Sequence, residues 1–265
     1  VAASFEPYGP RLRIGGPAAL LFADISGYTR LTERLAATGR AGAEVVTQVV
    51  NECFTALITE VAVGGGDVVR FGGDALFVAF AGDDRVARAA GTAARMQTAL
   101  GRLGAVSVPG GRVRLRMSIG LHHGELVVHE WSGSWCERLP VGPAVTTTLR
   151  LEAGAAGGQV RVSPEVAASL GRHLVAGDLL RLPAACRLAG ERGHGPIGGG
   201  TRSTIPASLR SVLARGAHAE HRAASVAFVL LSGTDVGAHA SRRIDRLLDA
   251  VDDVSARLGV VPVST

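Results

Sequence analysis

Lysine is absent from this chain of 265 residues: all 28 basic side chains are arginine. With alanine, glycine and valine abundant beside them, that usage reads as a bias toward GC-rich codons. A net charge of +5 would suit a nucleic acid, but the arginines alternate with 23 acids and gather into no stripe. Aromatic residues are scarce as well. Two tryptophans and two tyrosines, none interleaved with basic runs, offer little surface for stacking bases. No nucleic-acid partner is expected. Cysteine is limited to Cys53, Cys136 and Cys186, far apart and odd in number. That argues against a disulfide framework and a zinc knuckle, and a reduced, cytoplasmic compartment is expected. No apolar run reaches the length of a bilayer span, and Val226 to Leu231, the longest candidate, reads as a strand. No membrane partner is expected. The chain opens at Val1 without a charged and then apolar leader, so a short missing stretch but no secretion signal is expected.

What remains is a chain with 47 % hydrophobic residues, ample for a packed core. Residues 1–16 read as an irregular lead-in punctuated by Pro7 and Pro10. Ala18 to Ala23 is apolar and of strand length, and a helical period follows through Leu31, Leu35, Val45, Val49, Cys53 and Leu57. Gly39 and Gly42 are expected to break or kink it. Val68–Phe71 and Ala75–Phe80 flank Gly72-Gly73-Asp74, a hairpin signal. Ala87–Leu103 reads as a helix, and Arg112–His123 with Glu125–Trp131 as a hairpin turning at Gly124. Gly142–Ala153 reads as a helix, Gln159–Val162 as a strand, and Ser163-Pro164 as the start of another helix. Hairpins mixed with crossover helices give an α+β fold, a mixed or antiparallel sheet with helices on one face. The domain is expected over 17–188, with a linker and short helix over 189–223. Residues 224–265 repeat the opening pattern: Ser232-Gly233 stands where Ser26-Gly27 does, and a helical period runs from Ile244 to Leu258. Leu230 takes the place of Asp24, so this second copy is degenerate, and it is expected to be truncated.

Asp24 closes a buried strand and Asp74 sits in a hairpin turn. On neighbouring strands both carboxylates would face one cleft. Hard oxygen donors without nearby cysteine or histidine suit Mg²⁺ or Mn²⁺. Two such ions can clamp an attacking oxygen and a leaving pyrophosphate. The turn Ser26-Gly27-Tyr28-Thr29 opens a helix whose free amides would hold phosphate oxygens. Taken singly, Asp74 is also an ordinary turn residue, and Asp24 and Ser26 are also plausible helix caps.

Phe22-Ala-Asp24-Ile-Ser-Gly-Tyr-Thr29 and Asp67-Val-Val-Arg-Phe-Gly-Gly-Asp74 resemble the two metal-binding motifs of class III nucleotidyl cyclases. Arg116 to Gly124 resembles that family's following hairpin, and Gly142 to Glu152 the helix bearing its transition-state residues. The tandem arrangement is most similar to soluble, bicarbonate-responsive adenylyl cyclases, whose two copies pair head to tail. The resemblance implies a ferredoxin-like cyclase fold converting ATP to cyclic AMP and pyrophosphate with two Mg²⁺ or Mn²⁺ ions. It places Asp24, Asp74 and the Ile25 backbone on the metals, Arg70 and Leu139 at the base-reading positions, and Thr146 and Arg150 at the transition-state positions.

The second set departs from the family. Arg70 stands for a lysine, Leu139 for an acid and Thr146 for an asparagine, and only Arg150 is kept. Leu139 cannot accept a hydrogen bond from an amino group, and Arg and Lys are not equivalent readers. The domain thus looks equipped for metals and phosphates, with the base readers expected from a second cyclase domain in cis. A homodimer would be nearly inactive. The opposite pocket, with Arg70 and Arg150, would suit a small anion such as bicarbonate. GTP as substrate stays open. A ligand-sensing module without catalysis also stays open, and so does a diguanylate cyclase, although Ala75-Leu76 departs from that pattern.

Overall fold

The computed structural model describes residues 6–8, 12–133, 136–171, 175–182 and 238–260. Strand β1 (Glu6–Tyr8) pairs antiparallel with β2 (Leu12–Ser26), where the sequence suggested an irregular lead-in. Pro7 is tolerated because β1 is an edge strand, where a missing N–H breaks no ladder. Helices α1 (Tyr28–Ala36) and α2 (Arg40–Val63) follow. Only Gly39 breaks the helical run. Gly42 lies inside α2, where a Cβ would fall 1.8 Å from the Leu35 carbonyl oxygen, so its absence lets the two helices touch.

Next come β3 (Asp67–Gly72), β4 (Ala75–Phe80) and α3 (Arg85–Leu103). A small ribbon, β5 (Ala105–Val108) with β6 (Gly111–Arg114), precedes the long β7 (Arg116–Ser132) and its partner β8 (Cys136–Val141). The expected turn at Gly124 does not exist, because β7 runs straight through it. A side chain there would meet His122 Nε2 at 2.8 Å and Ala144 Cβ at 3.0 Å. The glycine marks a close approach, the other meaning of glycine inside a strand. Then follow α4 (Pro143–Ala153), β9 (Val160–Val162), α5 (Pro164–Leu170), β10 (Val175–Ala176) and β11 (Leu179–Leu180). Helix α6 (Ala238–Leu258) contains the expected period from Ile244 to Leu258. The linker over 189–223 and the repeated strand over 224–231 lie outside the described residues, as do Ser232, Gly233 and Trp135.

Among the described residues the main sheet runs β10-β11-β9-β7-β2-β4-β3, with β1 and β8 added at β2 and β7. All pairings but β7 with β9 are antiparallel. The fold is α+β, as the mix of hairpins and crossovers implied. Alternation along β2 explains how two faces are buried at once. Ala19, Leu21, Ala23 and Ile25 enter the larger core with α1, α2, α3 and α5. Ala18, Leu20 and the partly buried Phe22 face Ala144 and Val145 of α4 instead. Helix α4 is thus the exception to a one-sided helical layer. Strand β4, buried at all six positions, reads as an unbroken apolar run for the same reason. Each large side chain buried there stabilises the fold by roughly 1.5–3 kcal/mol. The buried Arg88 donates to the carbonyls of Gly64, Gly65 and Ala81 and to Asp84, so the end of α2 is satisfied from within.

Helix α2 is the one described helix long and apolar enough to cross a membrane, with a mean hydropathy of 1.2. Here it sets Gly42, Cys53, Leu57 and Val61 into the domain.

Candidate active site

Two adjacent strands bring the acids together. Asp24 lies in β2 directly opposite Ala75, the first residue of β4. Asp74 precedes it in the β3–β4 turn, which Gly73 makes possible at φ 62. The Ile25 N–H donates to the Asp74 carbonyl at 3.3 Å, tying that turn to β2. Asp74 therefore stands next to the strand partner of Asp24, near enough for its charge to act on the Asp24 carboxyl.

The next residues form the start of α1. Gly27, at φ 95, turns the chain from β2 into α1, and a Cβ there would press on the Arg114 carbonyl at 3.3 Å. The residue at the cap is therefore Gly27, and Ser26 is the last residue of β2. No side chain caps α1, so its first amides stay available for phosphate oxygens beside the acids. Tyr28 opens the helix close enough to Asp74 that the carboxylate, after burial, raises its phenol pKa. Thr29 is exposed one residue on.

Asp24 is held at a pKa of about 6 by burial, then by the charge of Asp74, then by that of Glu152. Among the described residues no arginine pairs with Asp24, Asp74 or Glu152. Negative charge therefore accumulates without compensation on hard oxygen donors, and the pair fits a divalent cation of the Mg²⁺ or Mn²⁺ kind.

The second set of expected residues lies apart from these acids. Thr146 and Arg150 are one turn apart on the exposed face of α4, and the Thr146 hydroxyl donates back to the Gly142 carbonyl at 3.3 Å. Among the described residues Arg150 has no ion-pair partner. Arg70 does. Its Nη1 donates to Glu137 Oε1 at 2.7 Å and to the Arg138 carbonyl at 3.2 Å, with the two side chains only 15 % and 11 % exposed. Arg70 is therefore not an unpaired cation, and the two-arginine anion pocket loses one of its charges. Leu139 is partly buried against a cluster of Trp131, Ile244 and Leu248, under α6. Alternation on β8 puts Glu137 and Leu139 on the same side, and the acid two residues before Leu139 is the one that meets Arg70.

Sequence reasoning missed three residues here. Glu137 carried no motif. Ser118 stands directly opposite Asp24, which only the register reveals, and its hydroxyl donates to Glu152 Oε1 at 2.6 Å. The signal that was available is Gly120, where a Cβ would fall 2.2 Å from the Thr148 carbonyl oxygen and 2.5 Å from the Glu152 nitrogen. A glycine in mid-strand reported the close approach of α4, and with it Glu152.

The profile of the adenylate and guanylate cyclase catalytic domain matches residues 15–179, which include both acids, the α1 turn and all of α4. Adenylate cyclase type 10 of Rattus norvegicus is 35 % identical over 78 residues, 29 % of this chain and 5 % of that protein. The Homo sapiens protein of the same name is 39 % identical over 59 residues, 22 % of this chain and 4 % of that protein. The matched stretch is thus a small part of these relatives. Among solved structures the guanylyl cyclase Cya2 superposes with a TM-score of 0.51 at 27 % identity, covering 61 % of this chain and 81 % of that one. The adenylyl cyclase CyaB from P. aeruginosa shares the fold at a TM-score of 0.51 and 22 % identity, covering 59 % and 81 %. With the paired acids, the uncapped helix and α4 all inside the matched span, the chain belongs to the adenylate and guanylate cyclase catalytic-domain family.

Proposed function

We propose that this chain forms the metal-holding lobe of an enzyme that converts ATP to 3′,5′-cyclic AMP and pyrophosphate. The observation that supports the reading is the tie between β2 and the β3–β4 turn, with Asp24 and Asp74 on adjacent strands just before the uncapped start of α1. In the reaction the ribose 3′-oxygen bonds to the α-phosphorus, the bond from that phosphorus to the bridging oxygen breaks, the hydroxyl proton is lost and pyrophosphate leaves. Asp24 and Asp74, with the Ile25 backbone, would hold two Mg²⁺ or Mn²⁺ ions. Such ions supply the positive charge that favours an ionised 3′-oxygen and offsets the charge on the phosphates. The α1 amides orient the phosphate chain by hydrogen bonds aligned with the helix dipole. The choice of ATP follows the adenylate cyclases among the relatives.

A second cyclase lobe completes the site in this reading. Arg150 and Thr146 lie on an exposed helix face, where they would serve a neighbouring lobe rather than their own acids. Helix α6 follows the repeated Ser232-Gly233 in the sequence and packs on β7, as the first part of such a lobe would.

The test is cyclic-nucleotide formation from ATP and from GTP with Mn²⁺, by this chain alone and with a complementary cyclase lobe, each also as Asp74→Ala. Cyclic AMP from the paired lobes, lost in Asp74→Ala, supports the proposal. Cyclic GMP from GTP, with no cyclic AMP from ATP, would overturn the substrate. Nucleotide binding without product in any combination would overturn the enzyme and leave a sensor.

A further inference from the structure

We propose that Glu152 is a positioning residue of the cation site: held by Ser118, it adds charge beside Asp24 and tightens divalent-cation binding without ligating the ion. The inference rests on the cation reading of Asp24 and Asp74 and deepens it.

Three observations converge. Ser118 is 5 % exposed and is the strand partner of Asp24, so the two side chains stand next to each other on the face that α4 covers. Its hydroxyl donates to Glu152 Oε1 at 2.6 Å, a short hydrogen bond of the kind made to an ionised acceptor. Helix α4 is also fixed at this point, because backbone atoms of Thr148 and Glu152 occupy the space where Gly120 lacks a Cβ. The carboxylate therefore has a fixed place beside Asp24. Among the described residues it has no cationic partner, and no three Asp, Glu, His or Cys side chains converge closely enough to hold a metal together. Glu152 accordingly stands behind the ligands. An acid set there raises the affinity of the site for a dication and orients the neighbouring ligand, as outer carboxylates do. Arg150, two residues earlier, lies on the exposed face of the same helix. One rigid helix thus serves the chain's own cation site from one side and a neighbouring lobe from the other.

The experiment is Mn²⁺ titration calorimetry of the nucleotide-free chain, with the melting temperature of the metal-free protein measured alongside. Glu152→Gln should weaken Mn²⁺ binding about tenfold while the metal-free melting temperature holds or rises. Ser118→Ala, which removes only the hydroxyl, should weaken it by a smaller factor. Asp24→Asn should abolish binding. Wild-type Mn²⁺ affinity in Glu152→Gln, with binding lost in Asp24→Asn, would overturn the proposal and leave the cation site standing. A lowered melting temperature with unchanged affinity would do the same and mark Glu152 as structural. Full Mn²⁺ affinity in Asp24→Asn would overturn the cation reading itself. Should Glu152→Gln fail to fold, an unchanged affinity in Ser118→Ala overturns the proposal.

Discussion

Asp24 holds its charge against its surroundings, and that has a measurable price in stability. Its pKa in the folded chain is about 6, against an ordinary 3.8, because burial and the charges of Asp74 and Glu152 disfavour ionisation. A raised carboxyl pKa means that the folded protein binds the proton more tightly than the unfolded one, so ionised Asp24 costs stability above about pH 6. The cost vanishes as the pH falls below the unfolded value. Asp24→Asn should therefore stabilise the metal-free protein at about pH 8, by about 1 kcal/mol once solvent screening is allowed for, and should leave it unchanged near pH 3.5. Thermal melts at the two pH values check this. The Arg70–Glu137 pair predicts the opposite sign. It is largely buried, so Glu137→Ala alone leaves a guanidinium without its partner and should cost about 3 kcal/mol in urea unfolding. Replacing both residues with apolar ones of similar size should recover most of that loss.

At the scale of elements, the seat of α6 is the feature most open to test. His129 is fully buried, with Nε2 3.1 Å from Asp245 Oδ1, and Trp131 Nε1 donates to Asp249 Oδ1 at 2.8 Å. Ile244 and Leu248 close over the indole. Trp131→Ala should destabilise this seat by about 3 kcal/mol, seen as lost hydrogen-exchange protection in α6 while β2 and β4 stay protected. The period of α6 was legible in the sequence, as were β3, β4, α3 and α4, because each is a local pattern of apolar spacing or a turn with a chemical signature. What was illegible is non-local. Nothing in the order of residues says that Trp131 lies under a helix more than a hundred positions away, that Glu137 reaches Arg70, or that Ser118 faces Asp24. Gly124 shows the limit of local reading most clearly, since the same residue signals a turn or a close approach and only the neighbouring helix decides between them. That Asp24 and Asp74 stand on adjacent strands was legible because a strand end and a glycine-rich turn are local features. Leu139 was placed by motif spacing alone, and its seat under α6 depends on a helix that spacing cannot see.

For the whole molecule, the exposed Arg150 separates two requirements that usually coincide. In the proposed pairing, Arg150→Ala should leave the fold and Mn²⁺ binding of this chain unchanged and should lower turnover of the paired lobes about a hundredfold only if Arg150 faces a reacting phosphate. Comparing Mn²⁺ titration with turnover for the same variant checks both halves of that statement. Strand β7 joins these regions in a single piece. Ser118 stands beside the acids near one end, and His129 and Trp131 lie under α6 near the other. At about 3.3 Å per residue the eleven steps from Ser118 to His129 span roughly 36 Å, and each step turns the side chain to the opposite face. The strand therefore works as a ruler whose length and parity are both set. One residue added or removed between these points would invert Ser118 relative to His129, so that either the acids or the helix seat would lose its side chain to the wrong face. Natural length variation among related chains should therefore fall in the turns before Arg116 and after Ser132, and be missing from the stretch between them.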